Sequence, residues 1–411
     1  MGSISCSHGM VGHLDCHHWR ELSMAIQRHC HNEQALQSRS CPAPVSNVLP
    51  ESCRHQARET ISGWPGYAPT PLRSLQALAS ELGVSALQYK DESGRFDLAS
   101  FKALGGAYAV QSEICKVIRE ASGLDIEIDQ VHRHHEYAES VTVVTATDGN
   151  HGRSVAWGAD RCGCQCVVYM HEHVSMGRQE AVEALGARVQ RVKGNYDDSV
   201  HRAEEDAKAN GWLMVSDTSW PGYLDVPRTV MAGYTVMSGE ALDQWPLTGP
   251  PTHVFIQGGC GGLAGAVCLD MWSRLGPSKP RFIVVEPDPA ACLHDSACAG
   301  RIRRVDIQVE SLMAGLSCGE VSLIAWPILE EAVADFITIT DDPVGPLMRR
   351  LAREESIVAG ESAVAGLAGL TESIRDQDLA DRLGLSEHSR ILVFGTEGAT
   401  DPVIYDELVM C

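Results

Sequence analysis

The chain has 411 residues, enough to bury a large core in two or three lobes, and 54 acidic against 33 basic side chains give it a formal net charge of −21. A surface of that sign repels phosphate backbones and anionic lipid, which argues against nucleic acid or a membrane surface as partner. No apolar run approaches the roughly 20 residues that cross a bilayer, and the N-terminus lacks a basic-then-apolar secretion signal, so a cytoplasmic enzyme is the expectation.

Residues 1 to 55 hold Cys6, Cys16, Cys30, Cys41 and Cys53 with His8, His13, His17, His18, His29, His31 and His55. No regular CxxC or HxxxH spacing organises them, so they read as a loosely ordered or surface-wrapping extension and not as a metal centre. The piece from His18 to Gln37 could form one helix. The 15 cysteines of the chain, at this length and without a secretion signal, read as reduced thiols.

Next comes RFDLASFKALGGAYAV, residues 95 to 110, with Lys102 after Phe101 and just before Gly105 and Gly106. A lysine at a helix mouth against close-packed backbone loses solvent. Desolvation lowers its pKa and frees the amine for a Schiff base with an aldehyde cofactor. Taken alone, such a lysine is more often a surface residue that lays its stem on the helix. Residues 120 to 140 look like a solvated, charged insertion whose histidines carry no assigned chemistry.

VTVVTATDGNHGRSVAWGA, residues 141 to 159, reads as a buried strand turning into a helix. Asn150 in that turn could hydrogen-bond a phenolic oxygen, and Gly149 and Gly152 let backbone amides approach a carboxylate. CQCVVYM, ARVQRVK and WLMVSDT then read as strands separated by helical stretches, the pattern of a parallel sheet with crossover helices. A second such set starts near residue 252. Its strand runs into Gly258, Gly259, Cys260, Gly261 and Gly262 before a helix, and amides of that turn can bind phosphate without a cation. The turn also fits a dinucleotide fingerprint, with Glu286 at the end of the next strand as ribose acid, but that explains none of the other segments. RILVFGTEGATDPVIY, residues 390 to 405, puts Thr396 at a strand end, where its hydroxyl could meet a pyridine nitrogen.

From about residue 65 to the C-terminus, KDESGRF (90–96), SFKALGG (100–106), ATDGNHGR (146–153), SDTSWPGY (216–223), VVEPDPAAC (284–292), SLMAGLSCGE (311–320), IVAGESAVAG (357–366) and TEGATDP (396–402) occur in order. In these the chain resembles the fold type II pyridoxal phosphate enzymes, the tryptophan synthase β-subunit-like superfamily, and within it the diaminopropionate ammonia-lyases. Asp148 is the most subfamily-specific letter. Two departures touch the substrate question: DLA at 97–99 stands where that family tends to have a Gly-Leu-Asn run, and GESAVAG replaces a form with a further Gly after the Ser.

The resemblance implies a two-lobed α/β fold, each lobe a mainly parallel sheet flanked by helices. Residues 56–104 and 226–411 would form the large pyridoxal phosphate domain and 105–225 the small one, in a homodimer. It implies a lyase of amino acid metabolism with pyridoxal 5'-phosphate as cofactor, held by Lys102, Asn150, the 258–262 turn and Thr396. Lys102 would bind the aldehyde and, once displaced, take the α-proton. An aspartate in a Gly-rich turn, or before Thr-Ser, is by itself more often a cap. In this company Asp148 and Asp217 would face the substrate and answer a β-ammonium. The implied reaction is α,β-elimination of D- or L-2,3-diaminopropionate to pyruvate and ammonia, with serine/threonine dehydration or β-replacement as the alternative. Cys292 and Cys318 become candidate spatial neighbours, reduced thiols being favoured over a disulfide.

Overall fold

A computed structural model of the chain describes residues 25–410 except Asp148 and Asn195. Asp148, Cys6, Cys16, His8, His13, His17 and His18 therefore lie outside the described residues. Eleven strands are described: β1 (Ile26–His31), β2 (Leu72–Ser74), β3 (Ala86–Asp91), β4 (Thr142–Ala146), β5 (Gln165–His171), β6 (Arg188–Val192), β7 (Leu213–Met214), β8 (His253–Gln257), β9 (Arg281–Pro287), β10 (Val333–Ile339) and β11 (Arg390–Gly395). They form a seven-stranded sheet in the order β1-β10-β9-β8-β11-β3-β2 and a four-stranded sheet in the order β6-β5-β4-β7. The smaller sheet and the five central strands of the larger one are parallel, and β1 and β2 close the larger sheet as antiparallel edges.

Alternate residues of a strand face opposite layers. On β8, Val254 and Ile256 join a core with Leu263 and Val267 of the helix Gly262–Leu275, while Phe255 joins another with Ala365 and Ala368 of the helix Ala365–Arg375. On β4, Val143 packs with Val155 and Ala159 of the helix Asn150–Cys162, and Val144 with Ala203 and Ala207 of the helix Tyr196–Asn210. Both sheets are thus covered on two faces, which is why their strands read as continuous apolar runs.

The helix Lys102–Ser122 is wedged between the helices Asn150–Cys162 and Asp225–Asp243. Small residues make that approach feasible. A Cβ at Gly158 would lie 2.7 Å from the Ala107 backbone, and one at Gly233 would collide with the carbonyl of Leu104. The Gly105–Gly106 pair serves the same packing against Val230, Tyr234 and Ser154.

KDESGRF builds a buried ion network. Lys90 Nζ lies 2.7 Å from Glu240, and Arg95 reaches both Glu92 and Glu240 at 2.7 Å, all four side chains being nearly free of solvent. It fastens the end of β3 to the helix Asp225–Asp243 and so fixes the loop that leads to Lys102. In that loop Phe96, Asp97 and Ala99 have φ of 49°, 58° and 53°, a left-handed backbone that glycine and asparagine tolerate best. The family's Gly-Leu-Asn run would put those two residues at 97 and 99, so the DLA departure costs backbone strain.

Two readings of the sequence need correction. Residues 26–31 are not helical: they form edge strand β1, paired antiparallel with β10, and among the described residues of the expected helix only Glu33–Gln37 are helical. His29 and His31 alternate onto one side of that strand, both 2.9 Å from Asp335 Oδ1. These three bring donor atoms within 4.8 Å of one another, yet Arg281 already holds both Asp335 oxygens at 2.6 and 3.1 Å and neutralises them. The 120–140 insertion is anchored, not simply solvated, since Ile126, Ile128, Val131 and Ala138 are buried in the main core. Among the described residues no helix is long and apolar enough to cross a membrane.

Candidate active site

Four strand ends from the two sheets meet at a cavity of about 300 Å³. Its lining includes Thr147, Gly149 and Asn150 after β4, Asp217 after β7, Gly258 to Cys260 after β8, and Thr396 after β11. Lys102, first residue of the helix Lys102–Ser122, enters from the side. Carboxyl ends of strands are where parallel α/β sheets place their ligands.

Lys102 Nζ donates to Asp217 Oδ2 in a partly buried ion pair and lies 5.3 Å from the Phe101 ring centre and 5.7 Å from that of Tyr234. Burial, the largest single influence, pushes the ammonium pKa down, but Asp217, Tyr234 and Cys260 together outweigh it and the net direction is up. The lowered pKa expected from desolvation alone is therefore not found in this geometry. The partner sits 115 positions away in sequence, and desolvation is the only influence the local sequence exposes. For Asp217 itself, burial raises the carboxyl pKa. His151 and Lys102 overcome that and hold it well below the usual carboxylate range.

His151, beside Asn150 in the same turn, carried no role in the sequence reading. It is buried, lines the cavity and places Nδ1 3.8 Å from Asp217 Oδ2. Its Nε2 lies 2.9 Å from the Val215 carbonyl. Its place at the first turn of the helix Asn150–Cys162, directly after the cavity-lining Asn150, was the signal available. Asn150 donates its side-chain amide to Glu397, whose other oxygen accepts from Ser362 N at 3.1 Å. Thr396 is buried, and its carbonyl accepts from Phe101 N at 3.0 Å, which ties the start of the lysine helix to β11.

The glycine turn divides into two kinds of position. Gly259 has φ 67° and faces the cavity, where an added Cβ would keep 3.7 Å from its nearest neighbour, the Gly315 carbonyl. Gly261, with φ 95°, turns away: a Cβ there would lie 2.7 Å from Leu329 and 3.2 Å from Leu293 in the core. Gly261 therefore serves packing, whereas Gly258, Gly259, Cys260 and Gly262 border the cavity. Glu286 is not a ribose acid. It is fully buried behind Gly258 and accepts from the amides of Leu293 and His294 at 3.0 and 2.7 Å, and burial pushes its pKa up to about 8. Cys292 and Cys318 are free thiols on either side of Gly259: Cys292 Sγ lies 3.5 Å from the Gly259 carbonyl, and Cys318 neighbours Cys260.

These residues fit a phosphorylated aldehyde. A positive-φ glycine turn opens the 14-residue helix Gly262–Leu275, a setting for phosphate. One lysine amine reaches the same cavity, and a side-chain amide and a hydroxyl residue border it at Asn150 and Thr396.

The model of the family described as pyridoxal-phosphate dependent enzyme matches residues 64–397. The diaminopropionate ammonia-lyase of Escherichia coli K12 is 38% identical over 374 residues, covering 89% of this chain and 93% of that protein. The enzyme of the same name from Salmonella typhimurium LT2 is 37% identical, over 84% of this chain and 89% of its own. The crystal structure of the Escherichia coli enzyme in complex with D-serine superposes with a TM-score of 0.84 at 35% identity, covering 94% of this chain and 97% of that one. Likeness of this extent, on a cavity whose residues suit the cofactor, means that the chain belongs to the pyridoxal-phosphate dependent enzymes and, within them, to the diaminopropionate ammonia-lyase family.

Proposed function

We propose that the chain eliminates ammonia from 2,3-diaminopropionate, D, L or both, to give pyruvate and ammonia. The observation that carries this reading is the Lys102–Asp217 pair inside the cavity, which sets an amine that can bind an aldehyde beside a carboxylate that can answer a second ammonium. Pyridoxal 5'-phosphate, when bound, supplies a conjugated ring that accepts electron density from the substrate's α-carbon. Lys102 would hold its aldehyde end, the amides of the 258–262 turn its phosphate, Asn150 its phenolic oxygen and Thr396 its ring nitrogen.

Once displaced by the substrate amine, Lys102 Nζ is the base for the α-proton. Thr396 offers a hydroxyl where a carboxylate would stabilise a pyridinium. This places more of the burden of β-amine departure on the Asp217 carboxylate, which answers the charge of the departing ammonium. Asp148 would act from the face opposite Lys102 and take the α-proton of the D-isomer. The same reading takes residues 56–104 with 226–411 as the large lobe and 105–225 as the small one, and a cytoplasmic homodimer as the working form.

The test is pyruvate release from D- and L-diaminopropionate beside serine, threonine and O-acetylserine. Faster turnover of either diaminopropionate isomer supports the reading, and a lead for serine or threonine replaces it with a dehydratase. In the same assay Asp148→Asn should penalise the D-isomer more than the L-isomer. Equal losses would remove Asp148 from the opposite face.

A further inference from the structure

Lys102 faces a conflict. Its amine reacts with an aldehyde only when neutral, yet Asp217 holds it as an ammonium. His151 offers the way out. Its Nε2 lies 2.9 Å from the Val215 carbonyl, and a carbonyl only accepts, so the proton of the neutral ring sits on Nε2. Nδ1 is then a bare lone pair. It is buried, has no hydrogen-bond partner, and lies 3.8 Å from the Asp217 oxygen that Lys102 contacts. A buried acceptor left without a donor is costly, so the arrangement gains when a proton arrives at Nδ1.

We propose that His151 is a positioning residue that takes the Lys102 proton by way of Asp217, freeing the amine for the cofactor aldehyde and then replacing Lys102 as the cation facing Asp217. The N–H bond of Lys102 breaks toward Asp217, and a proton leaves Asp217 for His151 Nδ1. Ammonium, carboxylate and imidazole become amine, carboxylate and imidazolium. The net charge of the buried trio does not change, so the transfer needs no counter-ion from solvent.

The surroundings set the direction of this equilibrium. Burial lowers the His151 pKa, the Asp217 charge raises it and the Lys102 charge lowers it again. Among the described residues, the other titratable groups that act on Lys102 are Tyr234 and Cys260. Burial raises the Tyr234 pKa, which keeps the phenol neutral. Cys260 is drawn down mainly by its contact with Cys318. With the ammonium present His151 stays neutral; with it gone, one opposing charge disappears and the imidazolium gains.

This inference rests on Lys102 as the aldehyde-binding lysine, but its test needs no diaminopropionate. Nitrogen-15 spectra of the histidine rings would be followed against pH in full-length holoenzyme, in cofactor-depleted chain and in Asp217→Asn holoenzyme. The His151 signals are assigned by their loss in His151→Gln or His151→Asn. The cofactor-depleted chain should show the proton on Nε2 and a bare Nδ1 at neutral pH. The holoenzyme should show a protonation midpoint at least one pH unit higher, and Asp217→Asn should abolish that rise. An unchanged midpoint on cofactor binding, or a proton on Nδ1 in the depleted neutral chain, overturns the proposal. Cofactor uptake gives a second readout through the growth of the yellow absorbance. His151→Gln should take up pyridoxal phosphate about tenfold more slowly at neutral pH and recover as pH rises, because only a proton acceptor is missing. A loss that is the same at every pH would mark His151 as purely structural and sink the idea. A chain that relays the proton but releases no pyruvate refutes the proposed function alone.

Discussion

Asp217 answers the Lys102 ammonium, and in the proposed reaction it answers a second cation, the β-ammonium. The two tasks share one requirement, a carboxylate kept ionised in a partly buried place, and a cation on Lys102 or on His151 meets it. Asparagine keeps the size and hydrogen-bonding capacity of Asp217 while removing charge and proton transfer. Asp217→Asn is therefore expected to fold and stay yellow, because burial then lowers the Lys102 pKa with its main opponent removed and its amine is available. Diaminopropionate turnover should fall about a hundredfold or more, the usual scale for a lost general acid or base. Retained turnover at near wild-type rate would show that the carboxylate only stores the lysine's charge. The sequence named Lys102 and Asp217 separately, each from its own motif. Their pairing was hidden because it is a tertiary contact between a helix start and a strand end, and with it went the sign of the lysine's shift.

The glycine turn after β8 shows how one element serves two masters. Its cavity-lining positions and its core-facing bend at Gly261 fall within five residues, a distinction that spacing alone does not carry. Alanine scanning separates them. Gly261→Ala drives a methyl to within 2.7 Å of Leu329 at φ 95°, so its expected effect is a lowered melting temperature. Gly259→Ala meets no atom closer than 3.7 Å and adds its methyl on the cavity side. Its expected effect is weaker cofactor binding beyond the strain of φ 67°, read by titrating the apoprotein with pyridoxal phosphate. If Gly261→Ala instead lost cofactor at unchanged melting temperature, the assignment of the two positions would be reversed. Elements bordered by local signals were legible: β4, β5 and β6 with their following helices lie where apolar runs and turn residues place them. β1 was not. Its pattern IQRHCH is mixed, and what makes it a strand is β10, some 300 positions away, offering an open edge and a buried Asp335 for His29 and His31. Strand propensity depends on such neighbours more than on the residue itself.

At the scale of the whole molecule, the loops of the two sheets are held together beside the cavity by polar contacts. Arg178, on the helix Met176–Glu183 of the small sheet, reaches Glu361 at 3.2 Å and Asp401 at 3.9 Å. Ser175 donates to Asp401 at 2.6 Å, and Asn150 donates to Glu397. Three buried carboxylates thus crowd one side of the seam. Burial, then the neighbouring Glu397 charge, pushes the Glu361 pKa up to about 7 despite Arg178. A carboxyl whose folded pKa exceeds its unfolded value near 4.5 binds more protons folded than unfolded between those pH values. Its stabilising contribution is complete below about pH 4.5 and is lost as pH rises through about 7. Other groups titrate with the opposite sign, His253 among them, held down to about 4 by burial, so the absolute slope of stability with pH does not isolate Glu361. The difference between two proteins does. Glu361→Gln keeps an acceptor for Arg178 and cannot ionise, so its urea midpoint should fall less than that of the wild type between pH 5 and pH 8. The two curves should meet at the acid end, where Glu361 is protonated in both states. Parallel curves across that range would mean that Glu361 is ionised throughout and that Arg178, not a proton, balances the acidic side of the seam.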